Sequence, residues 1–321
     1  MDIKKAVLSQ NYIYNMLKQA NSNHRLSHAY LFYGEKGTGK KEMAYQLATM
    51  LYCPNGGCLE CETCKNIINN NHMNVDYIGI DSNKTMISKD QITALQEEFS
   101  KTSLVSGTRV YIVDGIDTAS SAAQNSLLKF IEDPQNQTPI IGIFLATELS
   151  NVVSTIISRC ELVHFNALPI LDRANMMTEE NIDLLDAILG ASLTNNIDDA
   201  IGIINDKGFD ERKNNFLQFI TLDKKQDLVI FYAKNINLYS NIDELKILLQ
   251  WLILFLEDAN LVKNSNENLI LKPLYDKIIT YNRNNKDCLQ NKLEFVLGLF
   301  NKLKYNVSAK NVFHELIANF I

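Results

Sequence analysis

Gly34-Glu35-Lys36-Gly37-Thr38-Gly39-Lys40 carries the spacing G-x-x-x-x-G-K of a phosphate-binding loop. In such a loop the glycines turn consecutive backbone N–H groups inward, the following helix adds its dipole, and the lysine reaches the terminal phosphates. The next position departs from the pattern. Ser or Thr there would place a hydroxyl on Mg²⁺, and this chain has Lys41. An ammonium cannot ligate a cation, so the loop shape is expected to survive while its metal site is lost. Val110-Tyr111-Ile112-Val113-Asp114 reads as a buried strand ending in a carboxylate, the Walker B arrangement in which Asp holds Mg²⁺ through water. Alone, that pattern suits a plain parallel strand equally well; the loop upstream favours the motif. Where a hydrolytic site would place a Glu to activate water, the chain has Gly115, and Asp117 is not expected to replace it. Thr147 follows the apolar run Ile140 to Ala146 and is expected to face the ligand crevice at the strand ends. Gly34, Gly37, Gly39, Lys40, Asp114 and Thr147 therefore make a degenerate nucleotide site. Nothing points to hydride or acyl transfer.

Cys53, Cys58, Cys61 and Cys64 are spaced C-x4-C-x2-C-x2-C. Four thiolates this close can converge on one tetrahedral Zn²⁺, and an all-sulfur set would be closed and structural. Asn55-Gly56-Gly57 supplies the turn that lets the chain double back. An iron–sulfur cluster is the rival, though the fourth Cys at x3 of the ferredoxin pattern is missing. Unliganded thiols are the third reading.

The elements that must position these groups follow from periodicity. Residues 3–22 read as one helix, with Ile3, Val7, Tyr14 and Leu17 near helical spacing. Ala29 to Tyr33 is the strand feeding the loop, and Lys41 to Tyr52 the helix leaving it. His28, just before that strand, could touch a base, but packing or capping is the simpler role. Val75 to Ile80 reads as a strand, and Ser88 with Gln91 as a capping box opening a helix to about Ser100. Ala119 to Glu132 is amphipathic and ends before Pro134. Ser158-Arg159-Cys160 precedes a strand, Glu161 to Phe165, and its spacing alone suggests only a surface or salt-bridge arginine. Beyond Pro169 the strand signals stop. Leu245 to Leu256 is apolar almost all round, with Trp251 inside, and Val312, Phe313, Leu316, Ile317 and Phe320 form one face of a docked last helix.

The 321 residues are 46% hydrophobic and 21% charged, an ordinary globular balance with room for two or three domains. The net charge of −6 argues against a freestanding nucleic-acid binder, so DNA contact would be local or shared with partners. The N-terminus lacks the apolar stretch of a signal peptide, and the longest apolar run, Ile247 to Leu256, is too short to span a bilayer. A soluble cytoplasmic protein with no membrane partner is expected, and bunched cysteines suit that reducing setting.

Together, the segment from His28 to Phe32, the phosphate loop, the four cysteines after its helix, Val110 to Asp114, Asn125-Ser126-Leu127-Leu128-Lys129 with Glu132 and Pro134, and Ser158-Arg159-Cys160 resemble the bacterial clamp-loader AAA+ family. The resemblance is dense over residues 1–165 and rests on helical pattern beyond. It implies an α/β AAA+ P-loop domain with a parallel sheet and an inserted zinc knuckle (residues 1–166, knuckle at 53–64). A small helical lid (167–208) and an all-α collar for oligomerisation (209–321) would follow. It also implies a hetero-pentamer with tau/gamma and delta subunits that loads a sliding clamp onto primer–template DNA for a DNA-directed DNA polymerase. In that setting Arg159 would be an arginine finger, reaching in trans to ATP on a neighbouring subunit. Lys41 and Gly115 point to the branch that does not hydrolyse ATP; the alternative is a tau/gamma-type ATPase subunit. The first cysteine gap is shorter than the family's, implying a tighter knuckle.

Overall fold

The computed structural model describes residues 3–81, 84–100, 107–132, 139–262, 269–285, 288–305 and 307–320. The chain divides into two compact units, Met1–Leu168 and Pro169–Ile321.

In the first unit, α1 (Ile3–Ser9) and α2 (Asn11–Ser22) precede β1 (Ala29–Tyr33), which leads into α3 (Lys40–Tyr52) and α4 (Glu62–Ile68). β2 (Val75–Ile78), α5 (Lys89–Ser100), β3 (Arg109–Asp114), α6 (Ser121–Glu132), β4 (Ile140–Ala146), α7 (Ser154–Ile157) and β5 (Glu161–His164) complete it. The strands form one parallel sheet ordered β2-β3-β4-β1-β5. Parallel neighbours need crossover connections, which is why helices separate them. The pleat sends alternate residues to opposite faces. Tyr30, Phe32, Val110, Ile112, Ile143 and Leu145 pack under α2 and α3, whereas Leu31, Tyr111, Val113 and Phe144 pack under α5 and α6. Both faces are covered, hence the near-continuous apolar runs at β1, β3 and β4.

The capping box is present: Gln91 N–H donates to Ser88 Oγ at 3.3 Å, and Ser88 N–H to Gln91 Oε1 at 2.9 Å. Pro134 lies outside the described residues. The expected helix over 3–22 is two helices, broken at Gln10, whose backbone sits at φ −118°, ψ 40°. The break turns the Gln10 amide onto the phosphate loop, where Nε2 donates to the carbonyls of Thr38 (3.1 Å) and Asn166 (2.8 Å).

The second unit is helical among the described residues: α8 (Ile170–Thr178), α9 (Leu184–Leu193), α10 (Ile197–Ile204), α11 (Phe209–Phe219), α12 (Lys225–Asn235), α13 (Ile242–Val262), α14 (Tyr275–Asn285), α15 (Leu289–Lys302) and α16 (Ala309–Asn319). One hydrophobic core runs from Ala174 to Phe320. The boundary expected at 208/209 therefore does not coincide with a break in the core. Trp251 on α13 donates Nε1–H to the Leu189 carbonyl on α9 at 3.1 Å, and Lys213 on α11 pairs with Asp186 on α9 at 2.7 Å. As read from the sequence, α13 is buried almost all round and α16 docks, with the Phe320 ring 4.9 Å from that of Phe219.

Trp251→Ala would empty a site with no solvent exposure, flanked edge-on by Phe209 and Phe216. Urea unfolding of this unit should show a loss of about 3–5 kcal/mol. A midpoint unchanged from wild type would remove Trp251 from the core.

Candidate functional site

β1 delivers the phosphate loop and α3 leaves it. Gly34, Gly37 and Gly39 all sit at positive φ (143°, 82° and 86°), a conformation L side chains resist. Gly34 has a second constraint, since a Cβ there would lie 2.2 Å from the Phe165 carbonyl oxygen on the chain leaving β5. The Lys40 ammonium is folded onto its own loop, donating to the carbonyls of Gly34 (2.7 Å) and Glu35 (2.6 Å), with Thr38 Oγ1 at 3.5 Å. Burial lowers its pKa, against the pull of Asp114, Asp117, Glu42 and Glu35.

The metal position is filled by the chain itself. The sheet order puts Asp114 at the end of β3, one strand removed from β1, so it faces the start of α3 across β4. Lys41 Nζ donates to Tyr77 Oη at 2.7 Å and lies 3.7 Å from Asp114 Oδ2; Tyr77 Oη donates to that same oxygen at 2.8 Å. Burial, and then the Asp114 carboxylate, push the Tyr77 hydroxyl far above its ordinary pKa, so it remains a proton donor. Charges 4 Å apart interact by about 4 kcal/mol per unit charge at an effective dielectric of 20. A dication beside Lys41 would meet that repulsion and would have to compete with the ammonium for Asp114. The sequence does not mark Tyr77 as a site residue: a tyrosine in a half-buried strand looks like packing, and only the β2–β3 pairing aims it at Asp114.

Gly115 adopts φ +94° and donates its N–H to the Leu145 carbonyl at 3.0 Å. A glutamate there would carry left-handed strain as well as crowd Ile80. Asp117 does not stand in for it. Its Oδ2 accepts the N–H groups of Thr147 and Glu148, each at 2.9 Å, and so pins the loop after β4. Thr147 is exposed at that strand end. His28 is exposed at the opposite end of β1 from the loop, with its carbonyl accepting from Gly142 N–H at 2.9 Å. It belongs to the strand start, not to the site. Arg159 is exposed just past α7, its Nη1 donating to the Thr155 carbonyl (3.0 Å) and Ser158 Oγ (3.3 Å).

The cysteines converge. The four sulfurs lie within 4.8 Å of one another, with Cys53 3.6 Å from Cys58 and 3.8 Å from Cys61. A tetrahedral ion with 2.3 Å bonds to sulfur needs edges of about 3.8 Å, so the set fits a tetrahedral metal. Gly56 and Gly57 at φ +67° and +87° make the short first gap sufficient. Backbone N–H groups of Cys58 and Cys64 point at the sulfurs of Cys53 and Cys61, each at 3.5 Å. Burial raises the Cys53 thiol, but the N–H groups of Cys58, Gly57 and Asn55 outweigh it and bring it down to about 6. Burial pushes Cys64 up to about 12. A bound cation would supply the charge that lets such a thiol ionise. Gln46 on α3 donates to the Gly57 carbonyl at 3.1 Å, which ties the knuckle to the helix of the phosphate loop.

A parallel 2-3-4-1-5 sheet whose first strand delivers a phosphate loop and whose third carries a Walker B carboxylate defines a P-loop protein of the AAA+ type. The sequence model of a family described as "DNA polymerase III, delta subunit" matches residues 9–169. DNA polymerase III subunit delta' of Bacillus subtilis is 30% identical over 313 residues, 95% of this chain and 94% of that protein. The chain belongs to this clamp-loader family, on its delta-prime side. DNA polymerase III subunit tau/gamma of Haemophilus influenzae is 32% identical over 192 residues, but that match spans 57% of this chain and only 27% of the relative. A gamma subunit-related protein of Thermotoga maritima, of known structure, is 15% identical with a TM-score of 0.49, over 95% of this chain and 97% of that one. Among the described residues no helix is long and apolar enough to cross a membrane.

Proposed function

We propose that this chain is a non-hydrolysing, delta-prime-like subunit of a bacterial DNA polymerase III clamp loader, and that it serves its neighbour's ATP. The observation that carries the reading is Lys41 seated on Tyr77 beside Asp114, with Gly115 where a water-activating carboxylate would stand. A site so arranged can neither coordinate Mg²⁺ nor orient a hydrolytic water. The chain's contribution is instead Arg159, an exposed guanidinium whose planar donors suit a γ-phosphate across a subunit boundary. In this reading tau/gamma and delta subunits complete a hetero-pentamer, residues 167–208 act as a lid and 209–321 as the collar. The sliding clamp and primer–template DNA are reached through the complex, in the cytoplasm. Zn²⁺ fills the Cys53, Cys58, Cys61 and Cys64 site as a structural ion.

The test is reconstitution with tau/gamma, delta, clamp and DNA, measuring ATP turnover with and without this chain. The purified chain alone should hydrolyse no ATP with Mg²⁺; turnover by it would favour the tau/gamma-type alternative. Lys41→Thr should not create an ATPase, because Gly115 still offers no carboxylate. Mg²⁺-dependent phosphate release by that variant would show that Lys41 was the only barrier.

A further inference from the structure

The phosphate loop has kept its shape and its buried lysine although its metal position is closed. Lys40 is only 9% exposed, and its ammonium is held by two carbonyls and a hydroxyl. Among the described residues no carboxylate comes within salt-bridge distance of it. Buried cations are ordinarily paired with anions. Here the charge faces a loop built from three positive-φ glycines at the start of a thirteen-residue helix, so the missing anion has a place to sit.

The second half of the argument is charge. In a metal-dependent site the dication balances both the Walker B carboxylate and the phosphates. Here Asp114 is already answered by Lys41 and Tyr77. Lys41 and Tyr77 hold Oδ2 of Asp114, so the carboxylate that a metal would join to the phosphates already has its cation, and Lys40 with the loop N–H groups is left to answer the phosphates.

We infer that this loop binds the polyphosphate of a nucleotide without Mg²⁺, with Lys41 standing on Asp114 in the place of the metal. The inference rests on the reading of Gly34, Gly37, Gly39, Lys40, Asp114 and Thr147 as a degenerate nucleotide site. The nucleotide would be a held constituent of the subunit and not a fuel. Lys40 turns from its own carbonyls to the phosphate oxygens, and Lys41 remains on Asp114.

Calorimetric titration of the full chain with ATP, in EDTA and in Mg²⁺, tests this. Wild type should bind at least as tightly in EDTA as in Mg²⁺. Lys40→Ala should weaken binding about tenfold or more. Lys41→Thr, which restores a hydroxyl beside a freed Asp114, should become metal-responsive, with Mg²⁺ tightening ATP by about tenfold. Lys41→Arg keeps the charge and should stay metal-independent, which guards against a variant that merely folds badly. Tripolyphosphate in EDTA separates phosphate recognition from any contribution of the base. Absence of saturable binding in either buffer would overturn the inference, as would Mg²⁺ tightening wild type as much as Lys41→Thr. The arginine-finger reading is measured separately, as turnover of the reconstituted loader, so each can fail without the other.

Discussion

Arg159→Ala in an otherwise complete loader should leave the ring assembled and cut ATP turnover at the adjoining subunit by about 10³-fold or more, the range of arginine fingers supplied in trans. That is about 4 kcal/mol of transition-state stabilisation. The side chain is exposed, and its contacts include hydrogen bonds within its own short turn of chain, to the Thr155 carbonyl and Ser158 Oγ. Removing it leaves no cavity, and such surface changes usually move stability by less than about 0.5 kcal/mol. Loss of turnover without loss of assembly is therefore the signature of a group that acts across a boundary. Arg159→Lys should recover only part of the rate, because an ammonium cannot spread over two phosphate oxygens as a guanidinium does. If the Ala variant supports wild-type turnover with DNA and clamp present, Arg159 is a helix-end residue and the finger lies elsewhere. Should the sites fire independently, total turnover falls by one site's share, so the loss is read against a loader lacking this chain.

The parts of the site fixed by spacing are legible in the sequence alone. Three glycines and Lys40 specify a loop whose φ values few other residues tolerate, and the cysteine gaps specify convergence of four sulfurs. The substitutions at Lys41 and Gly115 were equally plain, because they depart from a pattern in which each position has one chemical duty. What the sequence hid is what other elements bring to the loop. Gln10 interrupts a helix-like run to hold the Thr38 carbonyl, and no local preference of Gln announces such a break. Tyr77 meets Lys41 and Asp114 only through parallel pairing of β2 with β3, a register that depends on residues far apart in the chain. The same limit affects the helical half. The family resemblance implies a boundary at 208/209, yet Trp251 and Lys213 reach back to α9 and carry one core across it.

Cys61→Ser should take bound zinc from one ion per chain to none and release residues 53–64, while the sheet stays folded. The choice of residue isolates the metal. Cys61 caps α4 by accepting the Cys64 N–H, and Ser is a favoured residue at that position, so the helix start is conserved. What remains to hold the knuckle is two polar contacts and the packing of Leu59 against the core. The Gln46 bond to Gly57 is worth about 1 kcal/mol. The Lys4–Glu60 pair is exposed on both sides, where water screens it. A structural zinc site contributes about 10–16 kcal/mol in small domains, so those contacts cannot replace it. The sheet has its own support, since Met43, Ala44, Leu47 and Ala48 of α3 are fully buried against it. Hydrogen exchange should then show amides 53–64 losing protection, with those of β1, β3 and β4 unchanged. Protection lost across the strands as well would make the ion part of the core that carries the phosphate loop, and loop and knuckle would be one cooperative unit joined through α3.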